Sequence, residues 1–458
     1  MERNQIAVEI HVIALPFPAQ GHINPMLQFS KRLASKGLKV TLVTFLENEN
    51  LTKLPKHSSN ITIESISDNN AVISTVEEYW KNFSSMVEQK LVEMVEKQNK
   101  FGKHMRSCLV YDSIIPWALD IAKQLGLSAA SFFTQSCAVS AIYYHVREGK
   151  INVPIEQDFV SLEGMPQLES HDLPSSRYNS EDQPSFISLM TGQFSNLKDV
   201  DWIVFSSFNS LEEEVMNWLA TQYPIKLVGP TIPSRYLDNR LEDDDDDDYG
   251  LSLFKSNTKT LIEWLDSKET SSVVYVAFGS LAALGEKQME EVANGLKRSD
   301  YHFLWVVRES EEKKLPQNFV DETSDRGLVV GWCPQLEILS HKSVGCFITH
   351  CGWNSTLEAL SLGVPMVAMP QWGDQLTNAK FVTDVWRVGV RVKVNVEGLV
   401  SKEEIDWCIR QVMEGEPANE IRKNSEKWKN LARVAVGEGG SSDMNIDEFV
   451  KQLQSYWN

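Results

Sequence analysis

Residues 332–375 read WCPQLEILSHKSVGCFITHCGWNSTLEALSLGVPMVAMPQWGDQ. Within this stretch, the apolar run Cys346 to Thr349 predicts a buried strand, and Met366 to Ala368 predicts the next. Between them, His350-Cys351-Gly352-Trp353-Asn354-Ser355-Thr356 turns the chain into a helix. Strand, turn, helix and strand in succession make the unit from which parallel, helix-wound sheets are built. Gly352 lets backbone approach a ligand closely, and Asn354 or Ser355 is expected to cap the helix. Free backbone N–H groups and the positive end of the helix dipole then favour an anion such as a diphosphate. His350, Asn354 and Ser355 add side-chain donors. Taken alone, these residues fit an ordinary capped helix after a buried strand equally well.

The same alternation extends in both directions. Towards the C-terminus, strands are predicted at Val388 to Val392 and, upstream of the quoted stretch, at Val273 to Ala277, His302 to Val307 and Leu328 to Val330. Helical patterns cover Lys287 to Arg298, Lys402 to Met413, Glu420 to Val436 and Asp443 to Tyr456. The first 230 residues repeat the pattern, with strands at Val8 to Leu15, Lys39 to Thr44, Cys108 to Tyr111, Ala129 to Phe133, Trp202 to Phe205 and Ile225 to Val228. Helices are predicted at Met26 to Lys36, Trp117 to Leu125 and Ala138 to Arg147. Around 230–256, prolines, an acidic run and Gly250 break the pattern. The fold class is therefore α/β, with two doubly wound parallel-sheet (Rossmann-like) domains facing a cleft. The predicted boundaries are 1–240 for an N-terminal domain, 241–256 for an acidic linker and 257–440 for a C-terminal domain. A last helix, 441–458, packs back on the N-terminal domain.

Forty-four Lys and Arg stand against sixty-three Asp and Glu, for a net charge of −19. Glu242 and Asp243 to Asp248 carry seven of these negative charges, and without them the chain stands at −12. Such a balance excludes a non-specific nucleic-acid binder. The Asp run lacks the glycine-broken alternation of a calcium loop and reads as a solvated linker. Six scattered cysteines with no CxxC pair predict reduced thiols in an intracellular, cytoplasmic protein. The apolar N-terminal stretch is broken by Glu9 and His11 and stopped by Pro16, so it predicts a strand and not a signal segment. No run of eighteen apolar residues is present, and no membrane insertion is expected. The chain is expected to be a monomer.

Two familiar nucleotide fingerprints are missing. There is no GxxxxGK[ST], and Gly279-Ser-Leu-Ala-Ala-Leu-Gly285 has the wrong spacing for GxGxxG. The 332–375 stretch instead resembles, without a gap, the signature box of the plant secondary-product UDP-glycosyltransferases. Pro18-Ala-Gln-Gly-His-Ile-Asn-Pro25 also resembles that family, and the likeness in organisation covers nearly the whole chain. The resemblance implies the GT-B architecture. It implies that Trp332 stacks on uracil with the backbone of Cys333 on the base edge, and that Gln335 and Glu358 hold the ribose hydroxyls. His350, Asn354, Ser355 and Ser280 would bind the diphosphate. Trp353, Asp374 and Gln375 would read the sugar, with Thr134 reaching across from the N-terminal domain. Gln at the last box position resembles the glucose users, so UDP-glucose is the expected co-substrate.

His22 follows the first strand, and an imidazole is the group best able to take a hydroxyl proton at neutral pH. Such a base needs a partner on its other nitrogen. Asp112 ends another strand of the same sheet, so both side chains are expected at one rim, and the family's catalytic pair matches these two positions. His11 and His341 match no catalytic position, while His145 and Cys137 read as packing residues. Trp80, Phe83, Met86, Ile187 and Met190 are candidates for an acceptor pocket as well as for core. Pro18, Ala19 and Gly373 are further acceptor-side candidates.

The expected activity is inverting transfer of glucose from UDP-glucose to a hydroxyl or carboxyl of a small lipophilic acceptor such as a terpenoid, steroid, phenolic or aromatic acid. The transition state would be oxocarbenium-like. No cofactor and no metal are expected, because no DxD-type carboxylate pair adjoins the box. A UDP-sugar-binding protein without turnover would show a lost base or a broken box, and neither is seen. A nicotinamide oxidoreductase would need the missing GxGxxG.

Overall fold

The structure, a computed structural model, describes residues 9–45, 60–66, 76–100, 105–153, 155, 157–174, 183–241 and 258–456. The acidic run Asp243 to Asp248 lies outside them. The chain forms two compact units. Unit 1 comprises Met1–Lys150, Pro184–Leu251 and Ala435–Asn458; unit 2 comprises Ile151–Gln183 and Ser252–Val434.

Unit 1 holds strands β1 (Glu9–Leu15), β2 (Lys39–Thr44), β3 (Ile61–Ser65), β4 (Met105–Asp112) and β5 (Ser128–Phe133). After a short ribbon that belongs to unit 2, β6 (Phe159–Val160) with β7 (Leu168–Glu169), it adds β8 (Trp202–Phe205) and β9 (Ile225–Leu227). These make one seven-stranded sheet in the order β3-β2-β1-β4-β5-β8-β9, and every pair is parallel. β1, β2 and β5 are buried almost throughout, so that even their polar residues His11, Thr41, Ser128 and Ser131 lie in the interior.

The sequence starts the first helix at Met26, after Pro25; in the structure it runs Gln20–Ser35 with Pro25 inside. Proline fits without loss in the first turn, but Pro25 lies beyond it, so the helix forgoes the bond to the Gly21 carbonyl and continues through it. The consequence is that His22 sits in the first turn of a helix and not in a loop.

The helix Ser441–Ser455 belongs to unit 1. Its Ile446, Phe449, Val450 and Leu453 enter the core that contains Phe29 and Val12. Its polar side chains reach the same unit: Ser442 Oγ donates to the Gly229 carbonyl at 2.5 Å, Asn445 Nδ2 to that of Leu227 at 2.8 Å, and Asp443 accepts from Lys36 at 2.8 Å.

Unit 2 carries β10 (Val273–Ala277), β11 (His302–Val306), β12 (Gly327–Val330), β13 (Val344–Thr349), β14 (Met366–Ala368) and β15 (Gly389–Arg391). They form a six-stranded, all-parallel sheet in the order β12-β11-β10-β13-β14-β15. Its core packs Val274, Val276, Trp305 and Ile348 against Leu296 and Ile409 of the helices Glu286–Ser299 and Lys402–Met413.

Residues 151–183, which the sequence assigns to the N-terminal domain, group with unit 2. The reason is electrostatic. The carboxylate of Asp172, 1% exposed, accepts from Arg391 at 2.6 Å and faces Lys380 at 3.5 Å, while its carbonyl accepts from Thr377 Oγ1 at 2.7 Å. A buried carboxylate is tolerated only with such partners.

Candidate active site

In both sheets the strand order runs outward in two directions from a central pair: β1 with β4 in unit 1, and β10 with β13 in unit 2. The two connections leaving such a pair diverge to opposite sides, opening a crevice at the strands' carboxyl ends. His22 follows β1 and Asp112 ends β4, and Ser280 and His350 lie just beyond β10 and β13.

In unit 1, β1 and β4 pair from Glu9 with Met105 to Leu15 with Tyr111. Asp112 is the last residue of β4, and His22 lies in the first turn after β1. Their side chains meet, with His22 Nδ1 2.7 Å from Asp112 Oδ2. Asp112 is fully buried, and its other oxygen accepts from the Ile114 N–H at 3.1 Å. An ionised carboxylate only accepts, so it keeps the proton on Nδ1 and leaves the lone pair on Nε2. Thr134, one residue beyond β5, brings Oγ1 to 3.1 Å from the same Nδ1. Two neighbouring strands, β4 and β5, thus deliver Asp112 and Thr134 to the imidazole that follows β1.

An aromatic wall borders that imidazole. The ring of Phe17 meets His22 edge-on at 5.3 Å and stacks on Trp80 at 5.8 Å. Phe83 touches Phe17 at 6.3 Å, Phe45 at 4.7 Å and Trp117 at 5.5 Å. Phe83 is buried, and Trp80 and Met86 are half-buried on the helix Val76–Lys100. Pro18 and Ala19 form the turn between β1 and His22, where Ala19 accepts from the His22 N–H at 2.9 Å. Met190 is buried, and its Sδ lies 3.4 Å from Gln135 Nε2; Ile187 is half-buried on the same helix, Gln183–Gly192. The sequence marked Trp80 and Phe83 but not Phe17, Phe45 or Trp117. The aromatic Phe17 between Pro16 and Pro18, directly after β1, was the available signal.

In unit 2, His350 follows β13 and Gly279 follows β10, and the two are in contact. A Cβ on Gly279 would lie 2.7 Å from the His350 ring, and one on Gly352 would lie 2.5 Å from Nε2. Both positions therefore require glycine, and Gly279 also has a φ of +73°. Nδ1 of His350 is buried with no hydrogen-bond partner among the described residues. Desolvation pushes the ring's pKa down to about 4. Cys351 is held at a φ of +63°, a conformation that costs a non-glycine residue of order 1–3 kcal/mol. Its N–H donates to Thr349 Oγ1 at 3.1 Å, and its carbonyl accepts from Asn378 Nδ2 at 3.0 Å.

The helix Trp353–Leu362 begins with Gly352 as N-cap and no side-chain cap. The sequence expected Asn354 or Ser355 to cap it. Both lie inside the first turn instead, and Ser355 Oγ accepts from Gln335 Nε2 at 2.9 Å. Gly352 has no side-chain oxygen to offer the first turn, and the positive end of the helix dipole favours an anion there. Gln335 Nε2 also donates to Glu358 Oε2 at 2.6 Å, and its Oε1 accepts from the Tyr275 hydroxyl at 3.2 Å. Tyr275 reaches Cys333 Sγ at 3.4 Å as well. The buried Tyr275, which the sequence did not single out, therefore ties two box residues to β10.

Trp332 is half-buried beyond β12. Trp353 is 3% exposed, with its ring 6.1 Å from Trp386. Ser280 is exposed just past β10. Gly373 has a φ of +66° and precedes Asp374, whose Oδ2 accepts from Asn378 Nδ2 at 2.9 Å. Gln375 Oε1 accepts from the N–H groups of Gln371 at 2.9 Å and Trp372 at 3.1 Å, which leaves Nε2 as its free-facing donor group.

The structure thus assembles His22, Asp112 and Thr134 in unit 1, and Cys333, Gln335, Ser355 and Glu358, with Asp374 and Gln375 near the His350 turn, in unit 2. Among the described residues, no group of three or more His, Cys, Asp or Glu is placed to hold a metal ion, and no helix is long and apolar enough to cross a membrane. All six cysteines are buried and unpaired.

The family model described as "UDP-glucoronosyl and UDP-glucosyl transferase" matches residues 244–426, and the "Glycosyltransferase, N-terminal domain" model matches residues 8–58. Mogroside I-E synthase of Siraitia grosvenorii is 49% identical to this chain, over 97% of the chain and 99% of that protein. The chain belongs to the plant family 1 UDP-glycosyltransferases. UDP-glycosyltransferase 74E1 of Arabidopsis thaliana is 50% identical over 97% of this glycosyltransferase and 99% of its own length. Among solved structures, Os79 from O. sativa in complex with UDP superposes with a TM-score of 0.87 at 38% identity, covering 96% of this glycosyltransferase and 100% of that chain. Os79 is also solved in complex with U2F and trichothecene. The fold is α/β GT-B, and the enzyme transfers a sugar from a UDP-sugar.

Proposed function

We propose that this glycosyltransferase transfers glucose from UDP-glucose to a hydroxyl of a small lipophilic acceptor, with inversion at the anomeric carbon. The observation that carries the proposal is the His22–Asp112 pair beside an aromatic wall. Nε2 of His22 takes the acceptor's proton as its oxygen attacks, and Asp112 balances the imidazolium that forms. Phe17, Trp80 and Phe83 favour an apolar acceptor body, because they offer large aromatic faces next to the base. That matches the chemistry named for a mogroside synthase and a trichothecene complex among the relatives.

On the donor side, Trp332 and Cys333 take the uracil, and Gln335 and Glu358 take the ribose. The uncapped helix Trp353–Leu362, with His350, Asn354, Ser355 and Ser280, receives the diphosphate. Charge developing on the leaving phosphate is stabilised by those amides in place. Asp374 and Gln375 bind the sugar hydroxyls, and Gln375 favours glucose. Thr134 has a second reading. Its hydroxyl lies at His22 Nδ1, which favours a role in orienting the base alongside any contact with the sugar.

The test is a matrix of UDP-glucose, UDP-galactose and UDP-glucuronic acid against triterpenoid, steroid, phenolic and carboxylic acceptors, with products read by mass and anomeric configuration by NMR. A β-glucoside formed preferentially from UDP-glucose is the expected result. Retention of the anomeric configuration, or preference for another sugar, overturns the corresponding part.

A further inference from the structure

Between β10 and the helix Glu286–Ser299, residues 279–285 form no regular structure, and they carry Ser280. The segment is held in an unusual way. Arg308 Nη1 donates to the Ser280 carbonyl, and Arg308 Nη2 donates to the Ala282 carbonyl at 2.6 Å. Lys314 Nζ donates to the Leu284 carbonyl at 2.9 Å. Every second carbonyl from 280 to 284 is thus taken by a cation. Burial alternates in step: Leu281 is 70% exposed, Ala282 5%, Ala283 exposed and Leu284 4%. Ser280 and Leu281 lie in a turn, and 282–285 continue without regular structure, so the side chains of Arg308 and Lys314 take the place of ladder hydrogen bonds in holding the backbone.

The cations come from a rigid bracket. Arg308 lies two residues beyond β11, the strand beside β10. Its own carbonyl accepts from the N–H groups of Glu311 at 2.7 Å and Glu312 at 3.1 Å, and Glu311 in turn holds Lys314 Nζ at 2.7 Å. A planar guanidinium reaches two carbonyls with fixed spacing, which an ammonium does not.

We infer that Arg308, assisted by Lys314, is a positioning residue for diphosphate binding: it fixes the 280–284 segment so that Ser280 meets the donor's phosphates. This rests on the reading that Ser280 faces the diphosphate. Arg308 itself touches backbone and acts through that segment.

The experiment measures UDP and uridine binding by calorimetry on the full chain, for Arg308→Gln, Arg308→Lys, Lys314→Gln and Ser280→Ala. Loss of two charge-assisted hydrogen bonds at a partly exposed site is expected to weaken UDP binding about tenfold in Arg308→Gln. Uridine binding should change less than about twofold, and the KM for UDP-glucose should rise more than kcat falls. Arg308→Lys and Lys314→Gln should lie between. Uridine binding also reports that each variant is folded. Equal weakening of UDP and uridine, or no change in either, overturns the inference. If Ser280→Ala weakens UDP while the Arg308 variants do not, the diphosphate reading stands and the positioning role fails. If Ser280→Ala leaves UDP affinity unchanged, the reading of the segment and the role of Arg308 fall together.

Discussion

Asp112 Oδ2 lies 2.7 Å from His22 Nδ1, although the two residues are 90 positions apart. Parallel pairing of β1 with β4 brings their strand ends side by side, and burial of Asp112 leaves its carboxylate few partners other than that imidazole. Asp112→Asn keeps the size but replaces an obligate acceptor with a group that can donate, so the wrong nitrogen can hold the proton. We expect kcat to fall by about two to four orders of magnitude on an alcohol acceptor. UDP affinity, measured by calorimetry, should stay within about twofold because Asp112 belongs to the other unit.

Gln375 Oε1 is already engaged by the Gln371 and Trp372 N–H groups. Gln375→Glu preserves that acceptor role, while it replaces the Nε2 donor with a carboxylate oxygen and adds a negative charge at a buried position. The loop should therefore keep its shape, while the KM for UDP-glucose rises about tenfold or more, the scale of a lost hydrogen bond at a buried site. Steady-state kinetics with UDP-glucose and a fixed acceptor decide it; an unchanged KM removes Gln375 from the sugar site.

Tyr275→Phe deletes one hydroxyl and keeps the stack on Phe347 at 4.9 Å. Without that hydroxyl, the Gln335 amide loses the partner that sets its orientation towards Ser355 and Glu358. UDP and uridine should both weaken, by about threefold to tenfold, the worth of a neutral hydrogen bond. This pattern differs from that expected for Arg308→Gln, which spares uridine.

The two α/β units were legible in the sequence because buried parallel strands write themselves as short apolar runs between amphipathic helices. The box residues were legible because the gapless stretch 332–375 resembles the family's signature box, whereas the strand, turn and helix at its centre fit an ordinary capped helix equally well. Three features were not. The helix start at Gln20 was hidden by Pro25, which reads as a helix boundary although the helix continues through it. The attachment of 151–183 to unit 2 depends on Asp172 meeting Lys380 and Arg391, a pairing of distant charges with no local pattern. Tyr275 and Arg308 act through atoms that no motif lists: a hydroxyl on a buried strand and carbonyls of an irregular segment.

Burial holds His11, His145 and His350 down to about 4, below the ordinary 6.5 of imidazole. Between those values the unfolded chain binds more protons than the folded one. Their contribution to stability is thus complete above about pH 6.5 and lost as the pH falls through about 4. His145 has no hydrogen-bond partner on either ring nitrogen among the described residues and packs 4.5 Å from Trp218. His145→Phe keeps an aromatic ring there and removes the proton uptake. The decline of Tm between about pH 6.5 and about 4 should become shallower in this variant. A slope identical to that of the wild type, read by differential scanning calorimetry, contradicts the assignment.

The most direct measurement is glucoside formation by the wild type and by His22→Ala, with UDP-glucose and a phenol or terpenoid alcohol, alongside UDP affinity for both proteins. Removal of a general base predicts a loss of about two to four orders of magnitude in turnover, with UDP binding unchanged within about twofold. Undiminished glucoside formation by His22→Ala would contradict the account.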